Sequence, residues 1–325
     1  MGSANLQTPK NIDKSKHKGI KVFAPASIGN LGVGFDIMGL ALQHPGDEVS
    51  VKFSAEPGLR IISISGTDRK IPLNVNENTA GVAARALLHS LGENAVGIDM
   101  QIFKKMPSGS GMGSSAVSAV AGAMAVNELL GRPYEKKDLF RFALEGEKLV
   151  SGGIQADNVA PSLLGGCVLV RDSEESDFVR VPVPRGMYAV VVCPDVKILT
   201  KDSRSKLSEH ISMKSFVQQS ANLGAFVLGM VNSDFGLISR SLKDIIVEPQ
   251  RASMIPYFYE VQDLAIKNGA LGCSISGSGP SIFALFNNSL IAEEVGSQMQ
   301  NVYIKNKLKA DLYVSAVNLD GAVLM

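Results

Sequence analysis

From Ser114 to Leu130 the chain carries a single charged residue, Glu128, among Ala, Val, Met, Ser and Leu. A helix that is apolar on most of its faces has to be covered on most of its faces, so this run predicts a buried helix, stopped at Gly131-Arg-Pro133. Directly before it, Pro107-Ser-Gly-Ser-Gly-Met-Gly-Ser-Ser-Ala116 holds three glycines and four serines. Such small side chains let backbone N–H groups converge on one object. At a helix N-terminus that object is an anion, most often phosphate. The plainer alternative is a surface loop, which Gly/Ser clusters commonly mark.

The flanking chain is strand-rich. Ile20 to Ala24 is a short apolar run ended by Pro25. Leu40 to Leu42 and Val49 to Phe53 read as strands across a turn at His44-Pro-Gly46. Leu59 to Ser65 and Val96 to Phe103 alternate as strands. Asn78 or Thr79 caps a helix. Tyr134 to Val150 is an amphipathic helix on which Glu147 would, from periodicity alone, face solvent. Ser151 to Pro161 reads as a second polar loop, and Gly165 to Val170 as a strand. A charged turn, Arg171 to Asp177, is the candidate boundary between units at 19–172 and 173–325, after a polar leader at 1–18 expected to be disordered.

Beyond the boundary, Tyr188 to Cys193 is a β-branched buried strand. Helical runs are expected at 203–208, 215–231, 235–241, 256–268 and 292–306. Gly272 to Phe286 is a strand, a tight glycine turn and a second strand, and Asp311 to Val317 closes with a strand. Mixed short strands and helices with hairpin-like pairs predict an α+β fold rather than a doubly wound one.

Bulk properties exclude several classes. With 32 Lys+Arg against 31 Asp+Glu there is no global pull toward nucleic acid or an anionic membrane. No run approaches the roughly 18 apolar residues of a membrane span. Residues 1–18 lack the apolar core of a signal peptide, so the expected location is the cytoplasm. The cysteines, Cys167, Cys193 and Cys273, are far apart. Their spacing fits neither a zinc site nor a disulfide framework, as in a reducing compartment.

The Gly/Ser stretch is not a Walker A loop, because no lysine precedes Ser114 or Ser115. Gly111-Met-Gly-Ser-Ser-Ala116 fits the G-x-G-x-x-[GA] dinucleotide pattern, but antiparallel-looking strands precede it where a parallel unit is expected.

Three motifs together resemble one family. Pro25-Ala-Ser-Ile-Gly-Asn-Leu-Gly-Val-Gly-Phe-Asp36, Pro107 to Ala116, and Ser276-Gly-Ser-Gly-Pro-Ser281 are similar, in order and separation, to the three signatures of the GHMP small-molecule kinases. The first motif, with Asp157-Asn-Val-Ala-Pro161 and Glu248-Pro-x-Arg251, resembles the homoserine kinase family within that group. The resemblance runs from about residue 20 to the end. It implies transfer of the γ-phosphoryl of ATP to the side-chain hydroxyl of L-homoserine, on the route to threonine. It also implies an N-terminal domain like the second domain of ribosomal protein S5, a C-terminal ferredoxin-like domain, ligands between them, and a homodimer.

The resemblance also assigns residues. Pro107, Ser108, Gly109, Ser110, Gly111, Met112, Gly113, Ser114 and Ser115 would form the ATP-phosphate loop, with Lys105 near phosphate and Asn78 on the adenine side. Ser115, or less directly Ser114, and Glu147 would hold Mg²⁺, which commonly takes one or two protein oxygens. Asn30 and Asp36 would contact the amino acid, Asp36 accepting from the α-ammonium. Arg251, in its Glu-Pro-x-Arg context, and Arg204 would grip the α-carboxylate. Asp157 is a substrate contact and the one nearby carboxylate suited to take the hydroxyl proton, although the resemblance implies that the reaction can also proceed without a dedicated base.

Gln155 departs from the pattern: many family members carry His there, and an amide cannot titrate near neutrality. A related kinase for another small alcohol, or a non-catalytic ligand sensor on the same fold, are the alternatives.

Overall fold

The computed structural model describes residues 19–67, 70–107, 109–149 and 155–325. The expected leader at 1–18, the start of the second polar loop at 151–154, and Ser108 lie outside the described residues.

The first half of the chain runs β1 (Ile20–Gly29), β2 (Met38–Phe53), β3 (Leu59–Ser65), α1 (Thr79–Ser90), β4 (Ile98–Phe103), α2 (Ser114–Leu129), α3 (Leu139–Lys148), α4 (Ala156–Leu164), β5 (Cys167–Asp172) and β6 (Asp177–Val181). The second half runs β7 (Tyr188–Pro194), α5 (Thr200–Ser205), α6 (Met213–Asn232), α7 (Phe235–Ser241), α8 (Glu248–Arg251), α9 (Phe258–Lys267), β8 (Gly272–Ile275), β9 (Ile282–Phe286), α10 (Ser289–Lys305), β10 (Ala310–Ala316) and β11 (Val323–Leu324).

Two sheets organise these elements. The first has the order β11-β1-β2-β4-β3, with β5 and β6 branching from β2. Its pairs are antiparallel except β3 with β4. The second is antiparallel throughout, in the order β10-β7-β9-β8. Counted within its own unit that order is fourth, first, third, second, with helices between the first and second strands and between the third and fourth. This is the ferredoxin-like arrangement expected above, and the whole is α+β.

The apolar run becomes the buried helix α2, along which only Ser115 and Glu128 are partly accessible. It packs against α1, α3, α4 and strands β1 and β2. Each fully buried Val or Leu there contributes about 1.5–3 kcal/mol, which outweighs the absence of an amphipathic face. Among the described residues no helix is long and apolar enough to cross a membrane.

Three expectations change. The strand at Ile20 continues past Pro25 to Gly29, with Pro25 at a register shift, a place in a sheet that tolerates proline. His44-Pro-Gly46 is not a turn. Pro25 faces Gly46 and Ser27 faces Ala41, so residues 42–45 bulge from one continuous strand. The bulge carries Leu42 to a bridge with Val317. From Ala156 on, the expected loop before Pro161 is α4, with Gln155 as its N-cap and Pro161 inside it.

The charged turn at 171–177 lies inside the β5–β6 hairpin of the first sheet. The chain passes to the second sheet between Val181 and Tyr188. β11, two residues too short to show a period, returns to pair with β1.

Candidate active site

The three glycine-rich stretches meet and bond one another. Ser27 N–H donates to the Met112 carbonyl at 3.2 Å, and Gly277 N–H to the Gly29 carbonyl at 3.0 Å. Ser276 Oγ donates to the Gly111 carbonyl at 2.8 Å, and Ser281 N–H to the Ser110 carbonyl at 3.1 Å. Asn30 Nδ2 donates to the Gly277 carbonyl at 2.7 Å. The crowding explains the glycines. Gly111 holds φ +84°, and a Cβ there would stand 2.5 Å from the Ser276 carbonyl oxygen.

With the loop's carbonyls turned to these partners, Gly113 starts α2 as its N-cap. A cavity of about 520 Å³ opens in front of that helix end. Gly109, Ser110, Gly111, Gly113, Ser114 and Ser115 line it. So do Asn78 and Thr79 at the start of α1, Gln155 and Asn158 at the start of α4, the 197–201 segment, Gly277 and Ser278. It therefore has walls from both halves of the chain, and its size is ordinary for a small-molecule site. Asn78 caps α1 through Oδ1, accepting from Ala80 and Gly81 N–H, while its Nδ2 donates to the Pro72 carbonyl.

Three residues assigned to the ATP site are placed elsewhere. Lys105 turns to Glu48. Along β4, Ile98, Met100 and Ile102 point inward, and the pleat carries Lys104, not Lys105, to the buried side. Lys104 is 4% exposed and lines the cavity. Its Nζ bonds Asp47, the Ser114 carbonyl (2.9 Å) and Ser118 Oγ (2.8 Å), which engages all three of its donors. Met112 is completely buried, because a long apolar side chain packs down into the core beneath the loop. Pro107 lines a separate cavity of about 180 Å³ with Cys193 and Lys309. Alternation along β4 was the signal that could have found Lys104. The lysines of the 197–201 segment reach the cavity only through tertiary packing.

Glu147 does not face solvent: it is fully buried. Burial pushes its carboxyl up to about 7 against the opposing effect of a hydrogen bond with Ser115, and Asp157 pushes the same way. Among the described residues no group of three or more His, Cys, Asp and Glu side chains is clustered to hold a metal ion.

Beside the cavity, the turn between β1 and β2 forms a charged corner. Asn30 N–H donates to Asp157 Oδ2 at 2.8 Å, and Asn30 Oδ1 accepts from Asp36 N–H at 2.9 Å. Arg204 of α5 pairs with Asp36. Arg251, 3% exposed at the end of α8, donates to the Ser203 and Gly277 carbonyls at 3.2 and 3.3 Å. Asp157 is held at about 7, by burial first and by the charge of Asp36 second. The structure thus brings Asn30, Asp36, Asp157, Arg204 and Arg251 together, and puts Gln155 in the adjoining cavity wall.

The profile of the GHMP kinases N-terminal domain matches residues 78–166, and that of the GHMP kinases C-terminal domain matches residues 226–305. The chain is 42% identical over 317 residues to a homoserine kinase of Chlorobium phaeobacteroides (strain BS1), covering 94% of this chain and 99% of that one. It is 36% identical over 305 residues to a homoserine kinase of Xylella fastidiosa (strain M12), covering 94% of each. The crystal structure of homoserine kinase from Cytophaga hutchinsonii superposes with a TM-score of 0.92 at 45% identity, over 97% of this chain and 100% of that one. A mevalonate kinase from L. major shares the fold, with a TM-score of 0.71 at 15% identity over 91% of this chain and 96% of that one.

Proposed function

The chain belongs to the homoserine kinases, within the GHMP kinases, and from that premise we propose that it transfers the γ-phosphoryl group of ATP to the side-chain hydroxyl of L-homoserine. The product is O-phospho-L-homoserine, an intermediate toward threonine. The observation that carries the reading is one shared wall. Gly277 lines the large cavity and also accepts from Asn30 and Arg251 of the charged corner. A nucleotide in the first and an amino acid in the second would therefore meet.

Phosphoryl transfer rests on positioning and charge neutralisation. The N-terminus of α2, with Gly109 to Ser115, receives the phosphates. Asn78 and the neighbouring Pro72 segment stand on the adenine side. Asp36 takes the α-ammonium, Arg204 and Arg251 the α-carboxylate, and Asn30 orders the turn between them. The homoserine hydroxyl oxygen forms the new bond to phosphorus as the β,γ-bridging P–O bond breaks and ADP leaves. Asp157, its carboxyl held near neutrality, is the group in this corner suited to take the hydroxyl proton. Gln155 contributes only an amide to the wall.

Mg²⁺ fits Ser115 and Glu147. They supply one hydroxyl and one carboxylate, hard oxygen donors of the number this ion takes from protein, and Glu147 is a buried carboxyl that a cation would return to its charged form. When bound, the ion would neutralise phosphate charge.

We also propose a cytoplasmic homodimer. The outer face of α6 exposes Met213, Phe216, Val217, Leu228 and Val231 on a helix whose only charge is Lys214. Val217, Ala221, Gly224 and Leu228 repeat a bulky, small, small, bulky order that reads alike in both directions. In an isologous contact this one patch would face its own copy.

The test is ADP release with ATP, Mg²⁺ and L-homoserine beside a panel of small alcohols, with the product identified by phosphorus NMR. Homoserine-dependent release above all other alcohols is expected. Release indifferent to homoserine would sink the reading.

A further inference from the structure

Phe35, half-buried on the turn between β1 and β2, has no role in the reading above. Its ring lies against two guanidinium groups: Arg204 Cζ is 5.6 Å from the ring centroid and Arg251 Cζ is 5.1 Å. Both are within the distance at which a ring face attracts a cation. The two arginines come from different helices, α5 and α8, and like charges brought together repel. Burial and the neighbouring Arg204 charge both act against the charged form of Arg251.

The carboxylates of Asp36, Asp244 and Asp157 favour the charged form of Arg251, and two contacts hold it beside Arg204. Arg251 Nε donates to the carbonyl of Ser203, the residue before Arg204. The Phe35 ring offers its electron-rich surface to both cations. The next residue, Asp36, already engages the Arg204 fork. Phe35 is thus a side chain of the turn whose ring packs against both arginines.

We propose that Phe35 is a positioning residue that holds Arg204 and Arg251 as a single carboxylate clamp, and so sets a preference for substrates with a carboxylate beside the ammonium group. This rests on the homoserine reading. Without the ring the two guanidinium groups lose their shared support, and the loss falls on the carboxylate of the substrate. The ATP cavity, whose wall does not include Phe35, is unaffected.

The experiment compares wild type, Phe35→Leu and Phe35→Tyr on L-homoserine and on 2-amino-1,4-butanediol, in which the carboxylate is replaced by an alcohol. The diol is followed by turnover or, as a competitive inhibitor, by its Ki. Phe35→Leu is expected to raise KM for homoserine about tenfold, the worth of a partly desolvated cation–π contact. It leaves kcat, KM for ATP and the diol constant within about twofold of wild type, and Phe35→Tyr, which keeps the ring, restores the wild-type KM. An equal loss for the diol, or a Phe35→Tyr variant as impaired as Phe35→Leu, would overturn the proposal and leave a plain packing role. A wild-type protein that does not turn over homoserine removes the substrate reading and this inference with it.

Discussion

Arg204 and Asp36 grip each other through both terminal guanidinium nitrogens and both carboxylate oxygens, each contact at 2.9 Å. In the proposed reaction these residues are the partners of the two charges of one zwitterion. Without a substrate they satisfy one another, and the entering amino acid exchanges one ion pair for two. The pair is 41% and 36% exposed, so breaking it is inexpensive. What the substrate needs from Arg204 is its planar fork. Arg204→Lys keeps the charge and loses the fork, and is expected to raise KM for homoserine about tenfold with KM for ATP unchanged. Steady-state kinetics in both substrates checks this, and an unaltered homoserine KM would remove Arg204 from the clamp.

Neighbouring lysines should behave as opposites. Lys104→Met leaves Asp47, which is fully buried, without its cation, and is expected to cost about 3–5 kcal/mol of stability along with the order of the α2 N-terminus. Lys105→Met breaks a pair whose lysine is 53% exposed, and should cost less than about 1 kcal/mol and leave KM for ATP as it was. Urea unfolding of both variants reads the contrast. Equal effects would show that the pleat does not separate their roles.

Asp157 ties stability to pH. Its carboxyl is raised from an ordinary 3.8 to about 7 in the folded chain, so the folded state holds a proton that the unfolded state has released. The associated stability is complete below about pH 4 and is lost as pH rises through about 7. Between pH 5 and pH 8 the wild-type unfolding free energy should therefore fall relative to Asp157→Asn, by on the order of 3 kcal/mol. Denaturant unfolding across that range measures the difference, and a constant gap between the two proteins would mean the carboxyl is ordinary.

The outer face of α6 makes a claim about assembly. Val217→Glu combined with Leu228→Glu puts like charges on both sides of an isologous contact and should convert a dimer to a monomer in light scattering. A wild-type protein that is already monomeric at micromolar concentration would refute the interface.

Much of this molecule was legible where one residue type does one job. The run from Ser114 to Leu130, with Glu128 its single charge, pointed to a buried helix, and Leu59–Ser65 emerged with its expected ends. The three glycine motifs were readable because their spacing encodes backbone approach, and their order matched a known family. Misreadings fell where one residue type can serve two ends. Pro25 and His44-Pro-Gly46 look like chain punctuation, yet they mark a bulge in a continuous strand pair. Asp157 and Asn158 favour turns locally, but here their side chains reach Asn30 and Ser27 across the fold and so start a helix. The β2 strand can approach that helix only because Gly39 lacks a Cβ, which would lie 1.8 Å from the Asp157 carbonyl oxygen. No periodicity announces such a contact. The phase of β4 sets which of Lys104 and Lys105 reaches the cavity.

The contact between the phosphate loop and the late Ser276–Ser281 turn bears on how the protein is made. Ser110 and Gly111 give their carbonyls to residues that follow them by more than half of the chain, and Asn30 reaches Gly277 across 247 positions. On the ribosome the loop is translated long before these partners exist, so the nascent loop is held from its own half, through Ser27 N–H on the Met112 carbonyl and Lys104 on the Ser114 carbonyl, while the Ser110 and Gly111 carbonyls still lack their partners. Closing so long a separation is also slow. Catalytic competence should therefore arise late and all at once, when the ferredoxin-like half docks, and a chain stalled before residue 276 would have a folded core and no kinase activity.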